Sequence, residues 1–268
     1  MNGGWLLENV GYCYGDKPVL ERVSCAIHKG FFYGIIGPNG SGKTTLMDLL
    51  AGIRRPVTGR VECNGRAIAL WHARERARQV ALVPQEFRGD FGFSVAEMVM
   101  MGRHPYLPRF GRPGEEDYAR VDAAMKNLDI DDMAQRQVTG LSGGEKQRVV
   151  VARALAQDTG YLLLDEATSN LDIRHTLQIL GLCRDLTQQE GRTVVAVLHD
   201  LNLAAAYCDQ LLVLDQGRLV AEGATRAVLT PDLLARVFGV AGRVTHEEGV
   251  TRLFFTAALP SRQEETPV

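Results

Sequence analysis

No run of apolar residues in the sequence approaches the roughly 18 that a membrane-crossing helix needs, so the chain is not expected to span a bilayer. The start, Met1-Asn2-Gly3-Gly4-Trp5, has no basic segment followed by an apolar one, and no secretory leader is expected. The five cysteines (Cys13, Cys25, Cys63, Cys183 and Cys208) are scattered and contain no Cys-x-x-Cys pair. That spacing argues against a disulfide framework or a zinc site and for free thiols in a reducing cytosol. A dominant charge of one sign is also missing. The formal net charge of −2 argues against an extensive nucleic-acid-binding surface. No repeat occurs at solenoid periods. What the 268 residues do have is 46% hydrophobic content, enough for a sizeable buried core and too much for a disordered chain.

Read along its length, the first third suggests strands separated by turns: Trp5–Val10, Val19–Ile27 and, after Lys29-Gly30, Phe31–Ile36. The last of these is apolar throughout, as a strand buried on both faces must be. A glycine-rich loop follows it, then helical spacing over Thr44–Ala51 closed by Gly52. Val57–Leu70 reads as a hairpin around Asn64-Gly65, and Val80–Pro84 as a short strand. Ser94 with Glu97 forms a capping box that opens a helix to about Met101. A basic connector rich in proline and glycine precedes an amphipathic helix near Glu115–Leu128. From Gly144 onward helices and strands alternate (Gly144–Ala156, Tyr161–Leu164, Ile173–Gln189, Thr193–Leu198, Leu201–Cys208), which predicts a parallel sheet. Leu211–Leu214 and Arg218–Ala221 flank Gly217 as a hairpin, and the polar end, residues 260–268, is expected to fray.

Gly37-Pro38-Asn39-Gly40-Ser41-Gly42-Lys43-Thr44 is a complete P-loop pattern between a predicted strand and a predicted helix. Glycines let backbone amides converge on phosphate oxygens, and the helix start adds partial positive charge. Lys43 would reach the β- and γ-phosphates, the Thr44 hydroxyl would face Mg²⁺, and Thr45 is a candidate for the α-phosphate. Tyr161–Leu164 is an apolar strand that delivers Asp165 and Glu166 to its carboxyl end, where ligands of α/β sheets bind. Asp165 is the expected acidic partner of Mg²⁺, and Glu166 could polarise an attacking water. Leu141-Ser142-Gly143-Gly144-Glu145 opens a helix with a hydroxyl and two glycines, a second anion-binding terminus separate from the P-loop. His199, after a predicted strand, could hydrogen-bond a γ-phosphate.

With these motifs together, the chain resembles the nucleotide-binding subunits of ABC transporters from about Leu6 to Phe238. The resemblance implies an α/β fold: a P-loop NTPase core with an N-terminal antiparallel β subdomain and a helical insert at about residues 86–140. It places one nucleotide-binding domain at 5–239 and a C-terminal extension at 240–268. It further implies that Gln85 touches Mg²⁺ and senses a transmembrane partner, and that His199 is the switch histidine. Ser142, Gly143 and Gly144 would bind the γ-phosphate held by another subunit, and Ser169-Asn170-Leu171-Asp172 would line the dimer seam. Tyr14 would stack on adenine, with Tyr12 as the neighbouring alternative.

The implied working unit is a homodimer that sandwiches ATP with Mg²⁺ and drives a separate permease from the cytoplasmic face of the plasma membrane. The permease would in turn meet a substrate-binding protein, and no nucleic-acid partner is expected. Met101–Leu107, Leu171–His175 and Leu233–Gly239 resemble importer subunits for ferric siderophores, haem and vitamin B12, with Glu86–Gly111 as the candidate permease contact. The remaining classes are a zinc/manganese importer or exporter subunit, which shares the catalytic motifs, and a soluble ABC ATPase. The latter usually has tandem cassettes, a long coiled coil or basic arms, none of which the sequence contains.

Overall fold

The computed structural model describes residues 3–85, 92–109, 111–169, 171–247 and 250–258. In chain order the first elements are strands β1 (Gly4–Tyr14), β2 (Lys17–His28) and β3 (Phe32–Ile36), helix α1 (Lys43–Leu50), strands β4 (Thr58–Cys63) and β5 (Arg66–Ala67), helix α2 (Ala73–Ala77) and strand β6 (Val80–Val83). Helices α3 (Val95–Met100), α4 (Glu115–Lys126) and α5 (Gly143–Ala156) follow, then β7 (Tyr161–Asp165), α6 (Ile173–Glu190), β8 (Thr193–Val197) and α7 (Leu201–Tyr207). The chain continues through β9 (Gln210–Asp215), β10 (Arg218–Ala224), α8 (Thr225–Val228), α9 (Pro231–Phe238), β11 (Val240–Glu247) and β12 (Val250–Ala258). No helix among the described residues is long and apolar enough to cross a membrane.

Six strands form the central sheet in the order β10-β9-β3-β8-β7-β6. All neighbours in it are parallel except the edge strand β10. Every residue of β3, β7 and β8 is buried, which accounts for their unbroken apolar sequences. Their side chains alternate between two cores. Phe32, Ile36, Leu162, Leu164, Val194 and Ala196 join a cluster with Met98 of α3, Val149 of α5 and Ile179 of α6. Tyr33, Ile35, Tyr161, Leu163, Val195 and Val197 join a second cluster with Leu46 and Leu50 of α1 and with the antiparallel strands. The fold therefore has three layers, with the parallel sheet between helices and an antiparallel sheet of order β2-β1-β4-β5. The Trp5 indole nitrogen donates to the Leu50 carbonyl at 3.0 Å, tying that antiparallel sheet to the end of α1.

Several boundaries differ from the sequence reading. Strand β1 runs on past Val10 to Tyr14, because Cys13 pairs with Pro18 and Tyr14 with Lys17 across a tight turn containing Gly15 (φ 58°). The capping box of Ser94 and Glu97 forms as expected, and a second one of Ser142 and Glu145 starts α5 at Gly143. Residues 240–258, which the sequence reading left without structure, make the antiparallel pair β11–β12. Residues 259–268, which include the end 260–268 expected to fray, lie outside the described residues, as do Asn170 and residues 86–91 and 110 of the candidate permease contact.

Candidate functional site

The P-loop turns sharply out of β3 into α1. Gly37 has φ 152°, and a Cβ there would lie 2.0 Å from the Leu214 carbonyl oxygen, so only glycine fits. Gly42 caps α1 with φ 98°. Lys43 is buried, and its ammonium donates to the Gly37 and Pro38 carbonyls at 3.0 and 2.9 Å. An ammonium has three N–H donors, so one is left for a phosphate oxygen. Burial lowers the Lys43 pKa, while the nearby Glu166 and Asp165 carboxylates work to hold its charge. The Ser41 hydroxyl is buried within the same loop and has no hydrogen-bond partner among the described residues. A buried hydroxyl in the loop that opens a helix suits an anion.

Two carboxylates arrive from the end of β7. The Thr44 hydroxyl lies 3.3 Å from Asp165 Oδ1. Burial, with Glu166 and Asp48 adding negative charge, pushes the Asp165 carboxyl up to about 6. Glu166 then leaves the strand with a left-handed backbone, φ 51°, an uncommon conformation for a residue with a Cβ. This turn brings both of its carboxylate oxygens against other functional candidates. Gln85 Nε2 donates to Oε2 at 2.7 Å, and His199 Nε2 lies 2.7 Å from Oε1. Gln85 arrives from just beyond β6 and His199 from the segment after β8, where Asp200 caps α7 through the amides of Asn202 and Leu203. Three neighbouring parallel strands thus converge on one carboxylate.

Lys43, Thr44, Thr45, Gln85, Glu166 and His199 line one open cleft of about 1070 Å³. Asn39, Gly40, Gly42 and Ser169 border it too, and Asp165 lies buried next to Thr44. Tyr14 lines it as well, 45% exposed. Tyr12 is partly buried against the second core, and its hydroxyl accepts from Arg54 at 2.9 Å. Of the two tyrosines, the cleft contains Tyr14. Ser142, Gly143 and Gly144 are not among its lining residues. The Ser142 hydroxyl accepts from the Glu145 amide and donates to the Glu145 carboxylate.

Sequence reasoning missed Lys17 and Gln216, which also line the cleft. Gln216 has φ 47° in the β9–β10 turn, and that turn docks on β2 where Glu21 N donates to Gly217 O at 2.8 Å. The turn itself was legible from Gly217. Its position against residues nearly 200 places earlier had no local signal.

The residues around Thr44 suit a hard cation. Ligands about 2.1 Å from an octahedral Mg²⁺ lie about 3 Å from one another, close to the Thr44–Asp165 separation of 3.3 Å. No group of three or more His, Cys, Asp or Glu that could cage a metal occurs among the described residues. One carboxylate and one hydroxyl is the sparse protein contribution with which Mg²⁺ is bound alongside substrate phosphates.

Residues 20–169 match the family described as ABC transporter. The cobalamin import ATP-binding protein BtuD of Halobacterium salinarum is 45% identical over 220 residues, which are 82% of this chain and 55% of that protein. The chain thus spans about half the length of that relative. The iron(3+)-hydroxamate import ATP-binding protein FhuC of Bacillus subtilis is 40% identical over 233 residues, 87% of each chain. Among solved structures, a dimeric ATP-binding cassette in a post-hydrolysis state with ADP and Pi superposes with a TM-score of 0.75 at 29% identity. That match covers 83% of this chain and 99% of the other.

Proposed function

The chain belongs to the ABC transporter family of ATP-binding subunits, and we propose that it hydrolyses ATP as a homodimer to energise an importer of ferric siderophore, haem or cobalamin. The observation that carries the catalytic reading is the Glu166 carboxylate held from both sides by Gln85 and His199 at 2.7 Å, beside the P-loop lysine. The cargo class rests on the relatives' names and on the importer-like segments at Met101–Leu107, Leu171–His175 and Leu233–Gly239.

In this reading Tyr14 receives the adenine, the Gly37–Thr45 loop the phosphates, and Lys43 the β- and γ-oxygens. Thr44 and Asp165 would hold Mg²⁺, with Gln85 near it, and the ion when bound neutralises charge on the phosphates. Each Glu166 oxygen engaged by Gln85 or His199 keeps a second acceptor position. From there Glu166 accepts the proton of a water as that water's oxygen attacks the γ-phosphorus. The bond from phosphorus to the β–γ bridging oxygen breaks, and ADP and inorganic phosphate result. Lys43 and His199 steady the charge that develops on the transferring group.

Ser142, Gly143 and Gly144 form an anion-binding helix start that does not line this chain's own cleft. They fit the nucleotide of a second copy, related by a two-fold axis. ATP then closes the dimer and hydrolysis releases it, a two-state element that a permease at the cytoplasmic face of the plasma membrane can follow. The permease passes cargo from a substrate-binding protein, and the insert at about residues 86–140 is the contact that reports ATP state to it. Glu166→Gln keeps the shape of the side chain and removes the base. We expect ATP to bind with ordinary affinity and hydrolysis to slow at least about a hundredfold. Undiminished turnover in that variant removes Glu166 from the reaction.

A further inference from the structure

We propose that Arg54 is a positioning residue for the nucleobase, holding the Tyr14 ring in the orientation that stacks on the bound adenine. The inference rests on the ATP-binding reading above and adds a residue outside the motifs of the family. Tyr14 ends β1 at a hairpin turn, 45% exposed, with its hydroxyl 3.5 Å from Thr45 Oγ1. Left to itself, such an aromatic would sample several rotamers. Arg54 prevents this from behind. Its guanidinium carbon sits 4.7 Å from the Tyr14 ring centroid and 5.5 Å from that of Tyr12. Arg54 is not a lining residue of the cleft, whereas Tyr14 is, so the cation backs the ring and the cleft side stays open to a base.

The guanidinium is itself fixed. Its Nε donates to Asp48 Oδ2 at 2.7 Å and a terminal nitrogen donates to the Tyr12 hydroxyl at 2.9 Å. Asp48 lies in α1, one turn beyond Thr44, and its carbonyl accepts from the amides of Ile53 and Arg54. Tyr12 closes the assembly, meeting the Tyr14 ring edge-on with centroids 5.2 Å apart and planes at 77°. The P-loop helix, the loop after it and the first hairpin are thereby locked around one aromatic ring. Ordering that side chain in advance lowers the cost of ordering it on binding, and a cation on one face of an aromatic ring is attractive in its own right.

The test is the affinity for ATP and for inorganic tripolyphosphate, which has no base, in the unaltered protein, Arg54→Ala, Tyr14→Ala and the double variant. Tyr14→Ala should weaken ATP binding about tenfold. Arg54→Ala should weaken it roughly two- to tenfold, raise KM without lowering kcat, and leave tripolyphosphate affinity alone. In the Tyr14→Ala background it should cost nothing further. Tyr12→Phe, which removes only the hydroxyl that Arg54 bonds, should give a smaller loss in the same direction. Equal weakening of ATP and tripolyphosphate by Arg54→Ala would mean that Arg54 acts through Asp48 on the P-loop, and would overturn the proposal. So would an undiminished effect in the Tyr14→Ala background, or no effect at all. A Tyr14→Ala variant with unaltered ATP affinity would instead remove the stacking reading itself, and the role of Arg54 with it.

Discussion

Asp165 illustrates how a site residue works against the fold that holds it. It closes β7, is 4% exposed, and shares its neighbourhood with Glu166 and Asp48. Burial first and those carboxylates second push its carboxyl up to about 6, against 3.8 for the unperturbed group. The folded state therefore binds more protons than the unfolded chain between about pH 4 and pH 6. Stability falls as pH rises through that interval, and the penalty remains in full above it. Asp165→Asn removes the charge and keeps an oxygen for the Thr44 hydroxyl. In Mg²⁺-free buffer the variant should be more stable than the unaltered protein at pH 8, by about 1–3 kcal/mol. Chemical denaturation at pH 8 and at pH 4 checks this, with most of the difference expected to be gone at the lower pH. An equal difference at both would assign it to packing.

At the scale of elements, the connector after α3 is held by a buried cation. Arg103 is 4% exposed, bonds Asp117 of α4 at 2.8 Å and the last carbonyl of α5, at Ala156, at 3.0 Å. Its guanidinium also lies 4.1 Å from the Tyr106 ring. Arg103, itself within the proposed permease contact, thus joins α4, α5 and the connector into one unit. Arg103→Ala leaves the Ala156 carbonyl without the guanidinium and the Asp117 carboxylate with only the Gly114 amide, at 3.0 Å. We expect a loss of about 3 kcal/mol in stability, which thermal unfolding followed by circular dichroism measures directly. Adding Asp117→Asn to that variant should restore part of the loss, since the uncompensated charge is then gone.

The elements show where sequence reading succeeds and where it fails. Strands β3, β7 and β8 were legible because burial on both faces demands an unbroken apolar run, and the P-loop because its residues are contiguous. The capping box at Ser94 was legible for the same local reason. Helix α9 was missed although Thr230 accepts from the Leu233 amide, Pro231 stands at its first position and Gly239 closes it with φ 64°. Those start and stop signals are all present in the sequence. The β11–β12 pair had no comparable signal. It depends on contacts from elsewhere, such as the Asn202 side chain of α7, whose amide donates to the Leu253 carbonyl and accepts from its N–H. Tyr12 and Tyr14 could not be ranked from sequence because alternation puts both on one face of β1. Their difference arises from the turn at Gly15, which ends the strand at Tyr14, and from Arg54, forty residues on, which bonds one ring and backs the other.

For the whole molecule, the central claim is that one chain carries half of each ATP site. The cleft assembles Lys43, Thr44, Gln85, Glu166 and His199, while the second anion-binding helix start, at Ser142, lies outside it. On the function proposed above, a complete site would require a second copy, and ATP would serve as the adhesive between them. The measurement that tests this most directly is sedimentation of Glu166→Gln with and without Mg²⁺ and ATP, with bound nucleotide counted in each species. The account predicts a monomer without nucleotide and, with ATP, a species of twice the mass containing two ATP molecules. It also predicts that Ser142→Arg abolishes the doubling while the monomer still binds ATP. A Glu166→Gln protein that saturates with ATP and remains monomeric would contradict the shared-site account.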